Sequence, residues 1–187
     1  MAGILKVDKY QDFNGNDIMT SDGSGNITLS SNMTTAVQAA GSANTPAFFV
    51  YKSSTQTLTD AAFTLITFDT EQIDTDNAFA SNTFTVPSGQ GGTYVIGAYV
   101  EYNAGTASNL RDTGIEIRIN GTVEARQQSY FEANYPLRQP QRIEKVVSLS
   151  AGDTVTIYGL LNVGSGTCEA LGQDKGTNFY GYRIIGA

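Results

Sequence analysis

Histidine and tryptophan are absent from this sequence, and cysteine occurs once, as Cys168. Without histidine the chain lacks the commonest zinc ligand and the side chain that most often serves as a general base at neutral pH. A single cysteine permits neither an intrachain disulfide nor a thiolate metal cluster. These absences exclude the usual zinc sites and histidine-dependent catalysis, and we expect Cys168 to be a small buried or loop residue.

Positive charge is also scarce. The 11 Lys and Arg residues against 18 Asp and Glu give a net charge of −7, and no Lys/Arg cluster offsets it. Such a chain is repelled by phosphate backbones and by anionic membrane surfaces. No apolar run approaches the ~18 residues of a membrane-spanning helix, and the first residues lack the hydrophobic core of an export signal. We therefore expect no nucleic-acid binding and no membrane insertion.

Recognisable catalytic motifs are missing as well. The sequence has no nucleophile elbow, no phosphate-binding glycine loop and no paired Ser/Lys motif. We expect no enzymatic activity, no catalytic residue and no cofactor. Residues 69–76 gather four carboxylates that are potential calcium ligands, but they lack the glycine and terminal glutamate of an EF-hand. We favour a solvated acidic loop without a metal, and a calcium ion is the alternative.

The stretch Thr93–Tyr102 has the alternation of a long β-strand. Tyr94, Ile96, Ala98, Val100 and Tyr102 share one face, and the opposite face carries Thr93, Val95, Gly97, Tyr99 and Glu101. Because both faces are largely apolar, this strand must be covered on both sides. It is predicted to lie at the centre of the core.

Further strand-like runs follow one another without a helical period. They cover residues 48–52, 64–68, 82–86, 114–119, 122–128, 142–150, 153–161 and 178–185. Such a series predicts an all-β sandwich or barrel over residues 47–187. Residues 1–46 contain only short apolar pairs separated by turn signals, such as those at 14–15 and 22–26. They are predicted to form an extended N-terminal arm and linker that needs a partner surface.

The hairpin at Asn120-Gly121 admits two registers. A two-residue turn sets Ile117 opposite Glu124, whereas a three-residue loop with Gly121 left-handed sets Ile117 opposite Val123 and Ile115 opposite Ala125. We favour the second register, since it keeps these four apolar side chains on the core face. It also sends Glu116 and Arg118 to solvent.

Three long connections are expected at one end of the sandwich. If successive strands reverse direction, segments 103–113, 129–141 and 162–177 all fall at that end, where recognition surfaces are usually built. Segment 129–142 mixes aromatic and basic side chains suited to sugar stacking or a protein contact, but for this segment we favour an ordered loop packed on its own domain or on a neighbouring subunit. The candidate surface-recognition residues are Asn109, Arg111, Tyr130, Phe131, Tyr135 and Arg138.

Five short elements together resemble the C1q/TNF-like family. They are Phe48–Val50, Phe84–Pro87, Gly92–Ile96, Leu149–Val155 and Phe179–Ile184, taken in order and spacing. The resemblance implies a ten-stranded antiparallel jelly roll that forms a tight homotrimer with its chain termini at the base. Tyr182-Arg183 and the long loops depart from the family pattern, so the family's ligand sites do not transfer.

The opening residues resemble a different group of proteins. Ile4–Asp8 together with Thr20–Thr28 are similar to the start of many small virion structural proteins of tailed phages of aquatic bacteria. The resemblance implies a protein made in the host cytoplasm and carried on the virion surface, as a capsid decoration or a short fibre tip. Its arm would dock on other virion proteins through six apolar candidates, namely Ile4, Leu5, Val7, Ile18, Ile27 and Leu29.

In that reading the head faces outward and contacts a host-surface glycan or protein. A free or cell-surface ligand-binding module of the C1q type is the alternative. Capsid and tail locations both remain open.

Overall fold

The chain forms two compact units, Met1–Ala43 and Asn44–Ala187. The computed structural model describes residues 8–33, 45–173 and 175–184. The docking candidates Ile4, Leu5 and Val7 lie outside the described residues. None of the helices in the described ranges is long and apolar enough to cross a membrane.

The N-terminal unit is a three-stranded antiparallel meander. Its strands are β1 (Lys9–Gln11), β2 (Asp17–Ser21) and β3 (Ile27–Leu29), with β2 in the middle. Both connecting turns are built by an aspartate that accepts hydrogen bonds from an asparagine four residues later, Asp12 from Asn16 and Asp22 from Asn26. Residues 31–33, directly after the meander, are helical.

The second unit, called the head below, is built from strands alone within its described residues. They are β4 (Ala47–Tyr51), β5 (Gln56–Thr57), β6 (Thr64–Leu65), β7 (Thr70–Asp74), β8 (Phe79–Ala80), β9 (Thr83–Thr85), β10 (Gly92–Asn103), β11 (Leu110–Ile119), β12 (Thr122–Tyr130), β13 (Arg138–Leu149), β14 (Thr154–Val163), β15 (Glu169–Ala170) and β16 (Asn178–Arg183). The all-β class predicted from alternation is confirmed.

These strands form two antiparallel sheets. The first has the order β5-β15-β10-β16-β4-β7, with β13 also paired to β10. The second has the order β12-β11-β14-β9-β8, with β6 paired to β14. Because β16 lies between β10 and β4, the last described strand closes the sheet beside the first strand of the head.

The core lies between the two sheets, where the predicted central strand contributes most. Tyr94, Ile96, Ala98, Val100 and Tyr102 of β10 are all fully buried, as expected. They pack with side chains of the second sheet and of β16, including Ile115, Ile117, Ile157, Leu161 and Phe179. The buried hydroxyl of Tyr102 donates a 2.6 Å hydrogen bond to the Gly114 carbonyl, so this polar atom is satisfied inside the core.

The hairpin between β11 and β12 differs from the expected register. Asn120 and Gly121 have φ angles of 51° and 79° and form a two-residue turn, with Ile119 paired to Thr122. A bulge then shifts the pairing, so that Ile117 lies opposite Ala125 and Arg118 opposite Val123. The three-residue loop was therefore wrong. Ala125 packs against the core as expected, but Val123 lies opposite Arg118 and is 41% exposed, so its predicted place on the core face was also wrong. A bulge changes which residues of a strand share a face with its partner.

The solvent exposure predicted for Glu116 was wrong, whereas Arg118 lies on the outer side as predicted and is partly exposed. The Glu116 side chain is fully buried on the outer side of the second sheet, between Arg118 and Arg126. The guanidinium of Arg118 lies 3.7 Å from the centre of the Tyr158 ring, and that of Arg126 lies 4.8 Å from the Phe63 ring. Two arginines thus cover one carboxylate, although the alternation of the strand alone predicts that this carboxylate is exposed to solvent.

The acidic stretch is partly a strand rather than a loop, since it contains β7. The Asp69 carboxylate accepts hydrogen bonds from the backbone amides of Ser53 and Ser54. Burial opposes ionisation of Asp69, but the bonds from Ser54 and Ser53 hold its pKa below the usual value. Asp74 accepts from the amides at 78 and 79. Across the described ranges, no group of three acidic or thiol side chains is placed to hold a metal ion.

Candidate interaction surfaces

The three long connections meet at one end of the head, as predicted. The amide of Ala104 donates to the Leu137 carbonyl at 2.9 Å, which joins the first connection to the second. The amide of Gly164 donates to the Asn109 carbonyl at 3.0 Å, which joins the first to the third. The strands extend into all three segments, so the loops are shorter than expected. We call residues 104–109, 131–137 and 164–168 the loop end.

Asn109 is buried and holds this loop end together. Its side-chain oxygen accepts from the Ser165 amide at 3.0 Å, and its side-chain nitrogen donates to the Ser165 carbonyl. An asparagine side chain that pairs with a backbone amide and carbonyl of another loop acts as a clamp between the two loops. Asn109 therefore positions the surface and does not itself lie on it.

Two of the predicted basic residues are paired within the chain. The guanidinium of Arg111 lies 3.8 Å from the centre of the Tyr135 ring, a cation–π contact that orders the second connection. Arg138 lies 3.6 Å from a carboxylate oxygen of Glu101, and about half of its side chain is exposed. Both cations are near the surface, and their contacts fix where they point.

Tyr130 is the most exposed of the candidates, with 70% of its surface in water. Its neighbour Phe131 is partly buried and packs against the core. The alternation at the end of β12 thus places one aromatic ring inside and one outside. A large exposed aromatic ring beside polar side chains is suited to stacking on a sugar or to a protein contact.

Asp112 was not predicted and lies directly opposite Tyr130 across β11 and β12. Within the described part of the chain, its buried Oδ1 atom has no hydrogen-bond partner. Burial raises the pKa of the Asp112 carboxyl, and hydrogen bonds with Asn162 and Gln128 oppose the shift. The sequence places residue 112 in the predicted connection 103–113, where a carboxylate is expected to be solvated, and it carries no signal that β11 begins at Leu110 and buries this one.

A second surface is the outer side of the first sheet. The registers of β10, β13, β16 and β4 place Val95 beside Val146 and Tyr182, and Gly97 beside Tyr180, which in turn pairs with Phe49. Val146 is 59% exposed, Tyr182 39% and, on β7, Ile73 46%. We call this the aromatic face; its apolar members are Phe49, Tyr51, Ile73, Val95, Tyr99, Val146, Tyr180 and Tyr182.

A polar cluster lies within the aromatic face. The Tyr180 hydroxyl donates a 2.5 Å hydrogen bond to Glu144, and Arg142 approaches both groups at 3.4 Å. Burial and the bond to Glu144 raise the pKa of Tyr180. The cluster joins β16 to β13 across β10.

No protein-family model matches the chain, and no curated protein matches it. Among solved structures, the globular domain of zebrafish complement 1qA protein matches with a TM-score of 0.53 at 15% identity. The match covers 75% of this chain and 98% of that one. The chain has the C1q-like jelly-roll fold. This confirms the fold that the five short elements implied, and an identity this low shows the fold alone.

The described docking candidates lie in the meander, not in the C1q-like head. Ile27 is 63% exposed and lines an open depression with Tyr10 and Met19. Ile18 lines a different depression with Met33. Leu29 lies opposite Met19 across β2 and β3. The apolar pairs seen in the sequence are therefore divided between two sides of the meander.

Proposed function

We propose that this protein is a non-enzymatic homotrimer on the surface of a tailed-phage virion, made in the host cytoplasm. The N-terminal unit attaches to other virion proteins, and the C1q-like head faces outward. The observation that best supports trimer formation is the exposed aromatic face. Cofactors, nucleic acid and membrane insertion have no part in this function.

The aromatic face has the composition of a subunit interface. Val146, Ile73 and Tyr182 are exposed together on one side of a long, regular sheet. Contiguous exposed apolar side chains of this kind mark protein contacts, and a cyclic assembly can bury the same face in every copy. The outer side of the second sheet differs, since Arg118 and Arg126 cover its aromatic rings with charge. These differences favour the aromatic face as the one that packs between copies.

Attachment to a particle is supported by the N-terminal unit. Its opening residues resemble those of small virion proteins, and its described strands are too short to make a core alone. The head, in contrast, contains the whole cluster of buried apolar side chains. One unit therefore needs a partner surface, and the other is a self-sufficient domain for display.

Recognition of a host-surface glycan or protein is assigned to the loop end and to the strand ends next to it, at Tyr130 and Arg138. The exposed ring of Tyr130 supplies a stacking surface, and Tyr135 and Arg138 lie in or beside the adjacent connection. Alanine substitution of these three residues should abolish adsorption without changing particle stability. The matched control is Val123→Ala. Val123 is 41% exposed and lies in the same strand as Tyr130, but it is distant in sequence from the loops.

Light scattering and particle binding test the proposal separately. Three copies of 19.9 kDa give about 60 kDa, and a mass near 20 kDa at micromolar concentration would overturn the trimer. Deleting residues 1–45 should leave the circular dichroism of the head unchanged and abolish particle binding. Binding by the truncated protein would place the attachment elsewhere. Dozens to hundreds of trimers per particle indicate a capsid decoration, and about six or twelve indicate the tail.

A free or cell-surface ligand-binding module is the second candidate, favoured by the C1q-like fold itself. It predicts stable trimers that bind a ligand without any virion partner. A secretion signal in the native gene, together with the absence of the protein from purified particles, would decide for it.

A further inference from the structure

The three-stranded meander is amphipathic. Tyr10 lies opposite Met19, which lies opposite Leu29, and Ser21 lies opposite Ile27. Residues directly opposite one another in an antiparallel sheet share a face, so these side chains point to one side. Lys9, Thr20 and Thr28 are paired on the other side. We call the first side, with Tyr10, Met19, Ile27 and Leu29, the arm face.

The arm face is open to solvent and preformed. Tyr10 is 54% exposed and Ile27 63%, and both line an open depression of about 320 Å³. Hydrogen bonds from Asn16 to Asp12 and from Asn26 to Asp22 fix the two turns that join the strands of the meander. A sheet this small is not stable alone and needs a second layer.

Charge favours another copy of the chain as that layer. Tyr10, Met19, Ser21, Ile27 and Leu29 are all neutral, so the arm face can pack on itself without like-charge repulsion. The charged side chain of Lys9, which belongs to the other side, is paired with Asp17 at 2.8 Å. The meander contributes the same apolar strip from every copy, which is the condition for closed symmetric packing.

Tethering supplies the second argument. Residues 34–44 separate the described meander from the head, and 11 residues of chain span at most about 40 Å. Once the aromatic faces hold three heads together, three meanders are confined within that reach. Their effective concentration is then on the order of millimolar, so even a small apolar contact becomes populated.

We propose that the arm faces of the three copies pack together about a common axis and form a second, N-terminal interface of the trimer. This inference rests on the proposed trimeric function. It places Ile27 inside the trimer and leaves the opposite side of the meander, with Ile18, Thr20 and Thr28, turned toward the particle.

Single introduced cysteines in the full-length protein test the inference. Ile27→Cys lies on the arm face, and its neighbour Thr28→Cys lies on the opposite side with comparable exposure. Native Cys168 is 3% exposed and contributes little background. Under mild oxidation, most of the Ile27→Cys protein should run as a covalent dimer on non-reducing gels, at least fivefold more than Thr28→Cys. Equal crosslinking of the two variants, or none of Ile27→Cys, would overturn the inference.

Light scattering of the same samples separates the two levels of the proposal. If the protein has a mass of about 60 kDa but Ile27→Cys forms no covalent dimer, the proposed N-terminal interface is wrong and the trimeric head stands. A mass of about 20 kDa removes both, since the tethering argument then fails. The Ile27→Cys protein can also be oxidised on particles that carry a cysteine variant of a different virion protein. A disulfide between the two proteins would also overturn the inference.

Discussion

Gly97 and Tyr180 are paired directly across β10 and β16, and the ring of Tyr180 occupies the space that a side chain on residue 97 would take. On its other side Gly97 is paired with Glu144 of β13. The Tyr180 hydroxyl therefore reaches across the glycine to the Glu144 carboxylate. A glycine within a long apolar strand has a physical reason here, because the ring must lie flat against the backbone.

Gly97→Ala should displace this ring and break its hydrogen bond. We expect the free energy of unfolding to fall by about 1–2 kcal/mol, since a bond to a charged acceptor is lost and the new methyl group crowds the face. In a Tyr180→Ala background the same substitution should cost about 1 kcal/mol less, because no ring is left to displace. Urea denaturation at one protein concentration measures the cycle. Additive effects would contradict the contact.

Val146→Glu should convert the trimer to a monomer of about 20 kDa, because it places three charges in the proposed interface. Val123→Glu is the control, since Val123 is also an exposed valine, in β12 of the second sheet. It should remain near 60 kDa. Light scattering gives the masses, and unchanged circular dichroism shows that both variants fold. A trimeric Val146→Glu protein would exclude the aromatic face.

Removal of both arginines that cover Glu116 should cost more than removal of Glu116 itself. The double variant Arg118→Ala/Arg126→Ala leaves a fully buried carboxylate unpaired, which we expect to cost about 3 kcal/mol. Glu116→Gln leaves two partly exposed arginines that water can solvate, and should cost about 1 kcal/mol. Urea unfolding tests this order. The reverse order would mean that the carboxylate is hydrated.

Cys168 should be unreactive in the folded protein at pH 8. Burial and the contact of its thiol with Asp60 raise its pKa to about 12. A thiol reagent should therefore label it only after denaturation. The raised pKa stabilises the fold below the ordinary thiol pKa of about 9, and this contribution is lost as the pH rises from 9 toward 12. Comparison with Cys168→Ala isolates the effect from tyrosine ionisation; identical stability profiles above pH 9 would contradict it.

Periodicity and turn residues were enough to predict much of this protein. Alternation in Thr93–Tyr102 identified the central strand and its buried face, because side-chain direction in a strand depends on position alone. Asn120-Gly121 marked the hairpin between β11 and β12, since both residues tolerate positive φ. The gathering of three connections at one end followed from the reversal of successive strands. The five short elements implied the C1q-like fold.

Side-chain contacts between neighbouring strands were decided by the tertiary structure. Glu116 is buried because Arg126 of a neighbouring strand and Arg118 of its own converge on it, which alternation along β11 does not encode. The bulge in the hairpin is decided in the same way: it sets Ala125 opposite Ile117 and leaves Val123 exposed, which the alternation of the two strands did not indicate. Tyr180 covers Gly97 only because the sheet order places β16 beside β10. A strand's alternation is local, whereas its neighbours are selected by the packing of the whole sheet.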